Sequence, residues 1–129
     1  MMRSAPRVCA ALLFALGASA ALGHHSFAMF DTTKQVEFDA IVREFQWTNP
    51  HCWLDVLATG QGGGSAQWAL EAQSPAMMHR KGWTKLRVAP GDKIKVSVFP
   101  SRDGSRSGAL RSATLSDGMV LWAYGSQDY

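Results

Sequence analysis

The chain has 129 residues, 47% of them hydrophobic, with 13 Lys and Arg against 10 Asp and Glu and a formal net charge of +3. That length bounds the molecule to one domain and excludes two full cores. The charge excess is no evidence for nucleic-acid binding: Arg3 and Arg7 fall in a segment expected to be removed, which leaves 11 basic residues against 10 acidic ones, net +1.

Residues 1–23 read as a secretory signal peptide. Arg3 and Arg7 supply the positive start, and residues 8–16 form an apolar run that is too short to span a bilayer. Two cleavage points fit. Ala18-Ser19-Ala20 has the A-x-A form and would leave Ala21 first; Ala21-Leu22-Gly23 also has small residues in the right places and would leave His24 first. Cys9 precedes the apolar run, so it is not placed for lipid attachment, and it departs with the signal. Cys52 is then alone and an internal disulfide is excluded; it is buried, paired with another molecule or a soft metal ligand, and burial is the simplest reading. No later run is apolar enough for a membrane span. The expectation is a soluble protein of about 105 residues, periplasmic or secreted.

Residues 24–34 read as an extended arm with Phe27, Met29 and Phe30 as apolar anchors. Residues 35–46 alternate from Val36 to Val42 and then slip, the pattern of a long first strand with a bulge or strong bend. Asn49-Pro50 marks a turn. Residues 51–58 form a second strand, with Cys52, Leu54 and Val56 on one face and His51, Trp53, Asp55 and Leu57 on the other. A glycine-rich connection leads to a third strand over 66–72, with Trp68 and Leu70 on one face. Ser74-Pro75 opens a short helix as cap and first helical residue, and Gly82 closes it. Residues 93–99 alternate cleanly, with Ile94, Val96 and Val98 inward and Lys93, Lys95 and Ser97 outward. Residues 100–108 read as a mobile polar loop, 110–115 as a strand, Asp117-Gly118 as a tight turn and 119–124 as a last strand. The tail at 126–129 should fray.

Short connections everywhere except around the helix favour a closed antiparallel barrel. The expected fold is all-β with little helix: an OB-fold-like closed antiparallel barrel of five to six strands over 35–125, with one short helix between strands three and four.

The segments His24-His25-Ser26-Phe27, Phe30-Asp31, Trp47-Thr48-Asn49-Pro50-His51, Ser74-Pro75, Arg80-Lys81-Gly82-Trp83-Thr84 and Pro90-Gly91-Asp92 follow one another in order. In this the chain resembles the exported bacterial proteins grouped as domain of unknown function 6152. The resemblance covers essentially the whole mature chain, and HHSF and WTNPH are its more specific parts. It implies a signal cut just before the paired histidines and a small β domain, and it carries no activity. Cys52 departs from the alanine or similar residue expected after His51.

If the cut follows Gly23, His24 offers an α-amine and an imidazole on one residue. The amine, with a reference pKa of about 7.7–8.0, gives up its proton readily to a metal. A second imidazole completes a three-nitrogen site of the histidine-brace kind, with His51 as the best second ligand and His25 as an auxiliary. Such nitrogen donors suit Cu(II), Ni(II) and Zn(II), and the affinity order favours copper. His79, on the helix, is not placed by the sequence. A second reading makes the histidines structural and the protein a non-catalytic binding module that presents a tryptophan-lined barrel face, with Trp47, Trp53 and Asn49 as the ligand surface. A copper oxidoreductase is a third, carried by no motif of its own.

P-loop, dinucleotide, nucleophile and paired-cysteine motifs are absent. The carboxylates Asp31, Glu37, Asp39, Glu44, Asp55 and Glu71 are spread along strands and call for no catalytic explanation. The partners expected are a metal ion or small ligand and an envelope protein, with no nucleic acid.

Overall fold

The computed structural model describes residues 27–60 and 65–126. Residues 1–26, which include the expected signal segment, His24 and His25, lie outside the described residues, as do 61–64 and 127–129.

The first strand, β1 (Val36–Gln46), is the spine of the barrel. It pairs antiparallel with β2 (Trp53–Thr59) along one edge and with β4 (Lys93–Pro100) along the other. Its β2 register shifts between Val42 and Glu44. The extra residue, Arg43, is why the alternation slips: Ala40 and Val42 are buried, and three residues past Val42 the Phe45 ring again packs on the core.

β3 (Ser65–Glu71) pairs with β2 over its whole length, from Trp53 opposite Glu71 to Thr59 opposite Ser65. β5 (Ser107–Thr114) pairs antiparallel with β4 and then with β3. This last pair closes the barrel, and it is parallel: Ala69, Leu70 and Glu71 lie beside Ser107, Gly108 and Ala109. The barrel is therefore mixed, with five strands in the order β3-β2-β1-β4-β5 and β5 returning to β3. A short sixth strand, β6 (Val120–Trp122), adds to the far half of β5.

Inward residues fill the barrel. Val42, Leu54, Val56, Leu70, Val96, Val98 and Leu110 are at most 1% exposed. Ile94, Val96 and Val98 face in and Lys93 and Lys95 face out, as their alternation requires; Ser97 is nonetheless covered, across from Ser112 on β5. Gly108 permits a close approach of β4, since a Cβ there would sit 2.4 Å from the Phe99 carbonyl oxygen.

Between β3 and β4 runs α1 (Pro75–Arg80). Ser74 accepts from the Met77 backbone N–H at 3.4 Å, Pro75 occupies the first turn, and Gly82 leaves the helix at φ 89°. Met78 and Trp83, both fully buried, add this connection to the core. The same connection covers the outer side of β6 and its extension. The Trp83 indole donates to the Trp122 carbonyl at 3.0 Å, Gln73 donates to the Ala123 carbonyl, and Lys81 donates to the Gly125 carbonyl at 2.9 Å. These donors occupy acceptors that an edge strand would otherwise offer to another chain.

Two expectations are corrected. Within the described part of the arm, Phe27–Met29 form a 3-10 turn rather than an extended stretch, before Phe30 bridges to Ser101. The turn between β4 and β5 is bonded rather than loose: Ser101 N–H donates to the Ser107 carbonyl at 3.0 Å, and the Ser107 hydroxyl meets those of Ser101 and Ser105, each at 2.7 Å. It also holds the arm. Asp31 N–H reaches the Pro100 carbonyl at 2.8 Å, and Arg102 donates to the carbonyls of Met29 and Ala28 at 2.9 and 3.0 Å. A polar run reads as solvated because sequence periodicity does not report hydroxyl–hydroxyl pairing.

Candidate functional site

The turn Trp47-Thr48-Asn49-Pro50, with a cis Asn49–Pro50 bond, delivers His51 to the start of β2. Two backbone bonds fix the chain there: Cys52 N–H donates to the Gln73 carbonyl at 2.9 Å, and Ala72 N–H donates to the Cys52 carbonyl at 2.8 Å. Cys52 points into the core with no exposure, and burial pushes its thiol pKa up. By alternation His51 takes the outer face with Trp53. Trp53 lies opposite Glu71 in the ladder, so His51 is the diagonal neighbour of Glu71.

Across that diagonal the imidazole Nδ1 meets the Glu71 carboxylate oxygen Oε1. The two side chains differ in exposure: that of His51 is 34% exposed and that of Glu71 only 4%. A buried carboxylate must be given donors, because leaving its lone pairs unmet costs several kcal/mol. The imidazole is the only side-chain donor the Glu71 carboxylate has among the described residues. Since the carboxylate accepts, Nδ1 carries the hydrogen. Nε2, on the other edge of the ring, has no hydrogen-bond partner among the described residues.

Tyr124 lies close by. Its hydroxyl donates to the Ala72 carbonyl at 2.9 Å. Its pKa is pushed up to about 12, first by burial and then by the Glu71 charge, which places that carboxylate within electrostatic reach. The arm packs on this tyrosine: the Phe27 ring lies 4.9 Å from that of Tyr124 and 5.4 Å from that of Phe30. The first described residue thus stands on a tyrosine whose hydroxyl bonds the residue next to Glu71.

The other candidate residues are dispersed. Trp47 is half-buried and packs edge-on against Phe45 at 5.8 Å, and Asn49 is exposed in the turn. Trp53 is half-buried on the outer face. Trp68 packs on Phe38 at 5.0 Å, Trp83 lies in the core, and Trp122 lies under the Arg111 guanidinium at 4.6 Å. His79 is exposed on α1. Asp55 and Glu44 face each other across β1 and β2, and burial followed by the Glu44 charge raises the Asp55 pKa.

A groove of about 640 Å³ opens by Thr59, at the end of β2 remote from His51, with Ile41, Ile94 and Leu115 among its walls and Asp39, Lys93 and Lys95 at its polar positions. Among the described residues no three His, Cys, Asp or Glu side chains gather where they could hold a metal ion, and no helix is long and apolar enough to cross a membrane. Sequence reasoning missed Glu71 as a partner of His51. The signal that could have found it is the β2–β3 register, which sets Glu71 diagonal to His51.

The architecture defines a small closed β-barrel of the OB type, with a sixth strand and a histidine–carboxylate pair beside its arm. The chain belongs to DUF6152, a family of unknown function whose model matches residues 12–111, a span that includes His24, His25, His51 and Glu71. No curated protein and no solved structure matches it.

Proposed function

We propose that this is an exported, periplasmic metal-binding module, with copper as its first-choice ion, whose ligands are the amino-terminal His24 and His51, with His25 as an auxiliary. Removal of residues 1–23 as a signal peptide is part of the proposal, because only a cut after Gly23 gives His24 a free α-amine. The observation that carries the reading is the state of His51: its Nδ1 is engaged by a buried carboxylate, while the ring is 34% exposed and its Nε2 has no hydrogen-bond partner among the described residues. Metal-bound imidazoles commonly have this arrangement, with the second nitrogen donating to a carboxylate that raises ligand basicity. Two nitrogens from His24 and one from His51 make a donor set for which the affinity order favours Cu(II).

Chain length supports the pairing. His24 is three residues before Phe27, a reach of roughly 10 Å for extended chain. Phe27 itself is held against Tyr124 beside the His51–Glu71 pair. The reading assigns binding and no reaction.

The test begins with the mature amino terminus, determined by mass spectrometry. Chain starting at His24 is expected to bind Cu(II) with a nitrogen-rich electron paramagnetic resonance spectrum. One alanine placed before His24 should weaken binding at least tenfold while leaving the melting temperature unchanged. Equal affinity with and without that alanine, or a native terminus at Ala21, refutes the ligand set.

A further inference from the structure

We infer that Glu71 is a positioning residue that holds His51 as its Nδ1–H tautomer and so makes Nε2 the atom that meets the metal. The consequence for the metal rests on the proposed function; the tautomer assignment stands on the pair alone. The carboxylate is acceptor-only when ionised, so a hydrogen bond to it requires the hydrogen on Nδ1. A neutral imidazole has one N–H, and fixing it on Nδ1 leaves the lone pair on Nε2. In water an unrestrained imidazole side chain favours the opposite form, with the hydrogen on Nε2 and the lone pair on Nδ1. Without Glu71, His51 would therefore mostly present the wrong nitrogen.

The surroundings keep Glu71 on this task. Its side chain is 4% exposed, so water has little access as a competing donor. The Tyr124 hydroxyl, which feels the Glu71 charge, donates to the Ala72 carbonyl. The small Ala109 lies beside Glu71 on β5 and brings no hydrogen-bonding side chain. On the other side Glu71 is paired with Trp53, whose indole is not bonded to it among the described residues. The backbone bonds between Cys52 and residues 72 and 73 fix the spacing of the two strands at this point. Ring orientation and tautomer are thus set before any ion arrives, and supporting partners of this kind are worth about 10–100-fold in metal affinity.

The experiment uses the mature chain labelled with nitrogen-15, with Glu71→Gln and Glu71→Leu as variants. Long-range proton–nitrogen spectra at neutral pH report which His51 nitrogen carries the hydrogen, without metal. Wild type should show a protonated Nδ1 and a bare Nε2. Glu71→Gln retains an acceptor oxygen and should keep that form, whereas Glu71→Leu should move most of the population to the Nε2–H form. Cu(II) titrations of the same proteins should show affinity falling about 10–100-fold for Glu71→Leu and less for Glu71→Gln. Thermal unfolding confirms that both variants are folded; if Glu71→Leu does not fold, Glu71→Ala takes its place. A wild-type His51 in the Nε2–H form overturns the inference. So does a Leu or Ala variant with the wild-type tautomer and copper affinity. A wild type with the Nδ1–H form that binds no Cu(II) overturns the metal reading and leaves the tautomer assignment standing.

Discussion

Replacing His51 with alanine tests the energetic side of the His51–Glu71 pair. The substitution removes the only side-chain donor that the Glu71 carboxylate has among the described residues. Leaving a fully buried charge without its partner costs about 3–5 kcal/mol. Here the imidazole is 34% exposed, so its removal lets water reach the carboxylate and relieves part of that cost. The expectation is a loss of about 2 kcal/mol, within the range for a buried polar group left short of a partner. In a domain of this size that is a fall in melting temperature on the order of 10 °C. The discriminating measurement is a double-mutant cycle by urea unfolding. Glu71→Gln removes the charge, so His51→Ala in that background should cost about 1 kcal/mol or less. If His51→Ala costs the same in both backgrounds, or stays within about 0.3 kcal/mol of wild type, the two side chains are not coupled and the reasoning fails.

Tyr124 and Gly108 supply two further predictions. The Tyr124 phenol has its pKa raised above that of an unfolded tyrosine, so the stability it contributes is present below pH 10 and is lost as the pH rises from 10 through about 12. Absorbance titration of Tyr124 should show a late step absent from Tyr124→Phe; Glu71→Gln should bring that step down only part of the way, because burial outweighs the Glu71 charge. Gly108→Ala would drive a Cβ against the Phe99 carbonyl oxygen and Val98 Cγ1, both 2.4 Å from its position, at the closing pair of the barrel. It should destabilise by about 3 kcal/mol, as overpacking does, and unfolding within about 0.5 kcal/mol of wild type would contradict the close approach.

Much of the fold is legible along the chain because it rests on local chemistry. Alternation over Ile94, Val96 and Val98 marks a strand with one face covered, and its slip after Val42 marks the bulge at Arg43. Ser74, Pro75 and Gly82 bracket the helix through capping, a preset φ and a positive φ. The turn at 101–106 and the arm were less legible, since their order comes from bonds to each other across some seventy residues.

The sequence by itself determined the succession of strands along the chain, the helix between β3 and β4, the inward set of β2 and the expectation of export, all of which follow from period, turn residues and segment length. It also singled out His51, from its place after Asn49-Pro50. Only the tertiary structure decided what the Nδ1 of His51 meets. Periodicity assigns Glu71 to the outer face of β3 and makes it one more carboxylate on a strand. Burial came from elsewhere: the β2–β3 register placed it diagonal to His51, the barrel-closing pair set Ala109 beside it, and Tyr124, carrying Phe27, packed close to it. A strand pattern reports which way a side chain points. What then covers it is fixed by segments far away in sequence, and that cover turned a solvent-facing carboxylate into the partner of a histidine.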